Sequence, residues 1–333
     1  MAKRVKAITG QNETGRFGLA ATDLGAMCTM SNGEVLTIFG DSFSGKRVGE
    51  GDWRSPAGLI GMIGSDGFPA YTRAAGTDPK YARQLLPYDH NNPEFSTKLP
   101  SDVICLPDGR LVMHVMVNKG LGNVIRTELW YSDDLAQTWH NSNVVLEPWW
   151  DGGKRQLWTF DYSPYDKHVY VMSTGFQRNK GIIMFRVHWT KMFDIAAYQP
   201  WTFKDNKWQW GVSGIDVPGE IWRGAAGELN LRIVDGKWVL TMFDAGAGQI
   251  ISYLLKQGVT SNIPTMPKTV HARGSMWLLD GYFNFCAQLY GGYVVPQSKL
   301  DTNGGVKIKI SQWNTATNFP YRVLGYESRL DKQ

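Results

Sequence analysis

The sequence predicts an all-β protein, a five-bladed β-propeller spanning residues 1–333 as a single domain, and two observations carry that expectation. The first is a weak internal repeat in which a turn dipeptide is followed by an apolar strand, five times over. The second is composition: 14 Trp, 14 Tyr, 14 Phe and 37 Gly among short Val-, Ile- and Leu-rich runs, with few helix signals. Aromatic and β-branched residues favour strands, and Gly favours the turns between them.

In chain order the copies are Asn32-Gly-Glu-Val-Leu-Thr-Ile-Phe, Asp108-Gly-Arg-Leu-Val-Met-His-Val, Asp166-Lys-His-Val-Tyr-Val-Met, Asp235-Gly-Lys-Trp-Val-Leu-Thr-Met and Gly291-Gly-Tyr-Val-Val-Pro. Each follows an apolar run, so each reads as a hairpin with a tight turn. About 56 to 76 residues separate successive turns, enough for a four-stranded sheet and one long loop. The run before each turn is then the strand that lines the central channel. Those runs carry Asp23, Asp102, Asp161, Glu228 and Asn284. Short helices are expected only near Pro79–Leu86 and Thr190–Ile195. Ser132-Asp-Asp-Leu-Ala-Gln-Thr-Trp139 resembles the Asp-box of sialidase-like propellers, with Ala136 where Gly is usual. There the Asp is structural, so Asp134 is read as part of an outer turn.

Composition removes several classes. A net charge of +5, with no block of like charges, gives no reason to expect a nucleic-acid partner. No apolar run is long enough to span a bilayer, so no membrane partner is expected. Cys28, Cys105 and Cys286 form neither a metal spacing nor a disulfide framework and read as buried thiols. The six His are scattered, no phosphate-cradling Gly loop follows a strand, and Gly-x-Ser-x-Gly is absent. No metal and no cofactor is therefore expected.

Paired carboxylates remain. A hairpin turning at Asn32-Gly33 sets position 23 opposite about position 42, which brings Asp23 and Asp41 to one end of the hairpin. Glycoside cleavage needs two such groups, one to protonate the leaving oxygen and one to attack or to activate water. Two stretches read as a site wall: Asp52-Trp-Arg-Ser-Pro, with Trp53 and Arg54, and Glu220-Ile-Trp-Arg-Gly-Ala-Ala-Gly-Glu228, with Trp222 and Arg223. Aromatic platforms beside Arg and carboxylates suit hydroxyl-rich ligands.

Ala21-Thr-Asp-Leu-Gly, Phe39-Gly-Asp-Ser-Phe, Trp53-Arg-Ser-Pro, Gly175-Phe-Gln-Arg-Asn-Lys-Gly with Phe185-Arg-Val, Gly227-Glu-Leu-Asn-Leu-Arg, Ser311-Gln-Trp-Asn and Phe319-Pro-Tyr-Arg-Val together resemble the endo-D-arabinanases of glycoside hydrolase family 183, formerly a domain of unknown function. The resemblance runs over nearly the whole chain. It implies a five-bladed propeller and endo-cleavage of the α-linked D-arabinofuranose chains of mycobacterial arabinogalactan and lipoarabinomannan. Asp23 and Asp41 become the catalytic carboxylates. By analogy with other five-bladed arabinan hydrolases, Asp23 is the base or nucleophile and Asp41 the general acid. Asp102 and Glu228 are then candidates for tuning their pKa values or for holding sugar hydroxyls. Ala136 and Arg322 depart from the family pattern at structural positions.

Two other readings share these residues: a non-catalytic glycan-binding propeller, such as a phage receptor-recognition module, and a related arabinan hydrolase acting on another furanoside. Met1-Ala-Lys-Arg-Val-Lys is followed by no apolar stretch, so no signal peptide is expected. Action on the cell envelope would then follow release on lysis or carriage on a phage particle.

Overall fold

The computed structural model describes residues 2–300 and 305–330, and it is all-β with only single-turn helices. Five antiparallel meanders follow one another along the chain. Their first strands are Ala21–Thr29, Thr97–Cys105, Leu157–Tyr162, Trp222–Val234 and Leu289–Val294, here called the five inner strands. Neighbours in this order pack side by side, and the fifth returns to the first. The inner strands are buried on both faces because a meander flanks each of them on either side. Successive strands of each meander step outward from there.

The meanders assemble into four open sheets. The third and fourth share one ten-stranded sheet, because Lys180–His188 of the third pairs with Trp222–Val234 of the fourth. The N-terminal strand Lys3–Ala7 pairs with Tyr321–Ser328, so the last meander is completed by the start of the chain. This closure ties residues distant in sequence into one hydrogen-bonded ladder.

Four of the five expected turns join an inner strand to the next strand outward. At Asp235-Gly236 both residues have positive φ, 48° and 73°, as a two-residue type I′ hairpin requires. At Asp166-Lys167, Lys167 takes the left-handed conformation without glycine, at φ 61°. The fifth expectation is corrected. Gly291-Gly292 lies within the inner strand Leu289–Val294, at a register shift, and is not a turn between strands. Asn284 accordingly sits in an exposed loop before Phe285–Ala287 and lines no channel.

Two further local expectations are refined. Residues 79–86 form turns and irregular chain rather than a helix, and 190–195 contains parts of two single-turn 3₁₀ segments, Trp189–Lys191 and Ile195–Ala197. The Asp-box-like segment is the outer hairpin turn of the second meander. Asp134 accepts from Ser132 Oγ (2.8 Å), Gln137 N (3.1 Å) and Thr138 N (2.9 Å), while Ala136 stands at φ 67°, a conformation glycine adopts at less cost. Its carboxylate is wholly engaged in holding that turn.

Candidate functional site

The N-terminal halves of the inner strands surround a cavity of about 590 Å³. Asp23, Asp41 and Glu228 line it together, with Arg178, Tyr290 and Tyr321. Backbone irregularity puts them there. The register slips between Thr22 and Ala26, between Pro100 and Asp102, between Ala226 and Leu229, and between Tyr290 and Gly292. Bulges re-aim side chains that a regular ladder would send elsewhere. Leu24 takes φ 60° at the first of them, and its freed N–H donates to Ser311 Oγ at 2.9 Å.

Two glycines make room for the acids. A Cβ at Gly40 would collide with the Asp23 carboxylate and with Leu24, and one at Gly227 would meet the Phe243 ring and Arg178. Each therefore stands immediately before an acid of the site, Asp41 or Glu228, because another site residue passes over its backbone.

Asp23 is buried. Its Oδ2 accepts from the Tyr290 hydroxyl at 2.8 Å, while its Oδ1 has no hydrogen-bond partner among the described residues. Burial, and then the neighbouring Asp41, push its pKa up to about 7; Glu228 adds to the rise, and the Tyr290 and Tyr321 hydroxyls oppose it. Asp41 accepts from Trp53 Nε1 at 2.7 Å. Burial raises its pKa too, and the Trp53 N–H, His90 and Thr97 hold the rise back. The Trp53 ring is stacked on His90, with centroids 3.6 Å apart and planes 15° apart. Glu228 binds Arg178 through Oε1, and its Oε2 has no hydrogen-bond partner among the described residues. The Arg178 guanidinium also lies over the Tyr290 ring, 5.0 Å from its centroid.

Three of the residues singled out from sequence thus meet in one cavity, and Trp53 reaches it through Asp41. The other four candidates, three from the expected wall and Asp102, stand elsewhere. Arg54 is buried and donates to the carbonyls of Ala82 (2.7 Å) and Gly18 (2.5 Å), tying two loops together. Trp222 is in the core, its Nε1 donating to the Tyr253 hydroxyl at 3.2 Å, and Arg223 is exposed. Asp102 is buried deeper along the channel in an ion pair with Arg232. Arg178, Tyr290 and Tyr321 escaped the sequence reading as functional residues. Arg178 and Tyr321 lie inside segments that carried the family resemblance, but only the fold brings them to the acids.

Among the described residues no group of three or more His, Cys, Asp or Glu is placed to hold a metal ion, and no helix is long and apolar enough to cross a membrane. What the cavity offers is two close carboxyls in unlike surroundings, a third acid with a free oxygen, a guanidinium and aromatic hydroxyls. That set can move a proton and hold a polyhydroxylated ligand.

Residues 9–327 match the family described as Domain of unknown function (DUF4185), and the chain belongs to that family. An uncharacterised 35.9 kDa protein of Mycolicibacterium smegmatis is 30% identical, over 94% of this chain and 93% of its own. Among solved structures, an endo-arabinanase of glycoside hydrolase family 43 from Bacillus licheniformis aligns with a TM-score of 0.51 at 12% identity, over 93% of this chain and 94% of that one. An exo-β-1,3-galactanase from Phanerochaete chrysosporium, solved with β-1,3-galactotriose, aligns with a TM-score of 0.56 at 6% identity, over 91% of this chain and 59% of that one. At such identities the likeness is one of fold: the chain shares the all-β architecture of these propeller enzymes.

Proposed function

We propose that this member of the DUF4185 family is a glycoside hydrolase that uses Asp23 and Asp41 as its catalytic carboxyls, on a propeller whose five meanders are its blades. The observation that carries the reading is the pair itself: a buried and a half-buried carboxyl in one open cavity, the buried one raised to about 7 by burial and by the other. Two like charges so placed do not both ionise readily, so near neutral pH the pair retains a proton. Acid-assisted glycoside cleavage needs that state, with one protonated and one ionised carboxyl.

The surroundings favour a division of labour opposite to the one expected by analogy. Asp23 stands beside two other acids and holds the proton, which suits the general acid. Asp41 receives the Trp53 N–H, which favours its ionised form and suits the base or nucleophile. Glu228 and Arg178, which line the same cavity, are the residues we assign to holding sugar hydroxyls.

The substrate we assign is α-linked D-arabinofuranose polymer, cut internally, as in arabinogalactan and lipoarabinomannan. The support is the family resemblance at Asp23, Asp41 and the Gly227–Arg232 segment. Such polymers lie in the cell envelope, so the assignment carries extracellular action with it. The test is purified protein on mycobacterial arabinogalactan, with products resolved by size, beside Asp23→Asn and Asp41→Asn. A ladder of short D-arabinan oligomers that disappears in both variants is expected. Intact polymer with measurable binding would leave a recognition module instead, and cleavage only of another furanoside would change the sugar.

A further inference from the structure

The cavity wall holds a serine–histidine pair that the paired carboxyls do not use. Ser101 lies on the second inner strand and lines the cavity with Asp23, Asp41 and Glu228. It is the extra residue of a bulge: Pro100 pairs with Val115 and Asp102 with His114, which leaves Ser101 without a partner across the ladder. Its Oγ lies 2.6 Å from Nδ1 of His114, which is fully buried. The His114 ring is clamped in turn, stacked on Trp158 of the third inner strand with centroids 4.6 Å apart and planes 6° apart. The strand that carries Ser101 also carries Thr97, which steadies the ionised form of Asp41.

A second buried histidine shows what a purely structural arrangement looks like. His271 uses both ring nitrogens, Nδ1 with Ser328 Oγ and Nε2 with Ser252 Oγ, each at 2.7 Å, and none of the three lines the cavity. At His114 only Nδ1 is engaged; Nε2 is buried and has no hydrogen-bond partner among the described residues. Burial pushes the His114 pKa down to about 3, so the ring is neutral and carries one N–H. On Nε2 that hydrogen would be an orphaned buried donor. On Nδ1 it donates to Ser101, and only a lone pair is left bare. The Ser101 hydroxyl then accepts from His114 and keeps its own hydrogen, for which the described residues supply no acceptor. A donor held in this way on a cavity wall calls for an acceptor oxygen from a ligand.

Acyl transfer is the other use of a serine–histidine pair, and the geometry speaks against it. A serine nucleophile must pass its proton to the imidazole, and the imidazolium needs a partner on its second nitrogen. His114 has none there and resists protonation. We propose that Ser101, aimed by His114, donates a hydrogen bond to an acceptor oxygen of the sugar held at Asp23 and Asp41. Ser101 is then a binding residue and His114 a positioning residue behind it. The inference rests on reading the cavity as a glycan site, and it adds a neutral donor from the second meander to the acids of the first and fourth.

The test is kinetics of the full chain on short D-arabinan oligomers, with oligomer affinity measured by calorimetry and the fold checked by melting temperature. The variants are Ser101→Ala, His114→Phe and His114→Asn. Phe keeps a ring against Trp158 and removes the donor, whereas Asn restores an amide N–H near the place of Nδ1–H. Ser101→Ala should raise KM and weaken oligomer binding by roughly five- to tenfold, the scale of one hydrogen bond, with kcat changed by about threefold at most. His114→Phe should follow Ser101→Ala, and His114→Asn should stay near wild type. Should His114→Phe fail to fold, Ser101→Ala decides, since it removes a single oxygen from the wall. A Ser101→Ala variant with wild-type KM and affinity overturns the proposal. So does hydrolysis of p-nitrophenyl acetate by wild type that Ser101→Ala abolishes, which would make Ser101 a nucleophile. If wild type binds the oligomers without cutting them, the hydrolase reading fails, and the loss of affinity in Ser101→Ala still upholds this one. Wild type that neither binds nor cuts them overturns both.

Discussion

The two ends of the channel are built from the same five strands, and both bury acids. At the cavity end stand Asp23 and Glu228, each with one carboxylate oxygen that no hydrogen bond among the described residues satisfies. At the other end, a hollow of about 350 Å³ is lined by Asp161 and Arg232, with Asp102 behind them. Asp102 Oδ1 accepts from Val103 N (2.8 Å) and Arg232 Nη2 (2.5 Å), and its Oδ2 from Thr159 Oγ1 (2.6 Å) and Arg232 Nη1 (2.9 Å). Asp161 receives the Tyr162 and Ile233 N–H groups, both at 2.9 Å, although burial still lifts its pKa to about 6. Unsatisfied buried oxygens cost free energy, and a fold tolerates them where a ligand will supply the partner. An acid on an inner strand is therefore no mark of chemistry; an acid that lines the cavity and keeps an oxygen unspent among the described residues is the better candidate.

Substitution at each end should separate the roles most sharply. Asp23→Asn and Asp41→Asn should each lower the cleavage rate by roughly 10³-fold or more while leaving the circular dichroism spectrum intact, the scale of lost acid–base or covalent catalysis. Asp102→Asn should do the reverse. Stripping buried Arg232 of its hydrogen-bonded counter-charge, with Asp161 the acid left beside it, costs up to about 3–5 kcal/mol of stability, read by denaturant titration, with activity per folded molecule unchanged. Equal loss of activity at the two ends would dissolve the distinction.

The same contrast explains what was legible in the sequence. The turn dipeptides and apolar runs gave four of the five inner strands, and with them Asp23, Asp102, Asp161 and Glu228, because hairpin chemistry is local. The fifth copy misled because Gly291-Gly292 has the composition of a turn, yet serves a register shift within a strand. Asp102 could not be told from Asp23, since Arg232 comes to it across 130 residues of chain. Trp222 and Arg223 were read as neighbours in one wall, but adjacent residues on a strand point to opposite faces, and one is buried while the other is exposed. Arg178 and Tyr290 reach the acids through a turn and a bulge, and neither has a pattern that periodicity detects.

A linkage experiment exploits the unsatisfied end. The folded-state pKa of Asp23 is about 7, above the model-peptide 3.8, so folding holds its proton more tightly than the unfolded chain does. Its contribution is neutral below the lower value, becomes a growing cost as pH rises between the two, and is fully a cost above the higher one. Asp23→Asn removes the ionisation, so the variant should be more stable than wild type at pH 8, by on the order of 2–4 kcal/mol. At pH 4 the gain should shrink towards zero. Thermal unfolding at the two pH values reads the difference directly; a variant less stable than wild type at pH 8 would mean that Asp23 is held as an ion by partners of its own.

The smallest effect bears on the division of labour within the pair. Trp53→Phe keeps a flat ring to stack on His90 and Phe43 but deletes the N–H that favours Asp41 in its ionised form. The pKa of Asp41 should then rise by roughly one unit, the scale of one hydrogen bond to a charged group. If Asp41 is the base, it must be ionised to act, so the acidic limb of the kcat/KM profile should move to higher pH. The alkaline limb, set by protonated Asp23 and falling as pH rises through about 7, should move less. The bell narrows, and the rate below its optimum falls about tenfold. Were Asp41 the acid instead, the alkaline limb would be the one to shift upward, and the variant would outlast wild type at high pH.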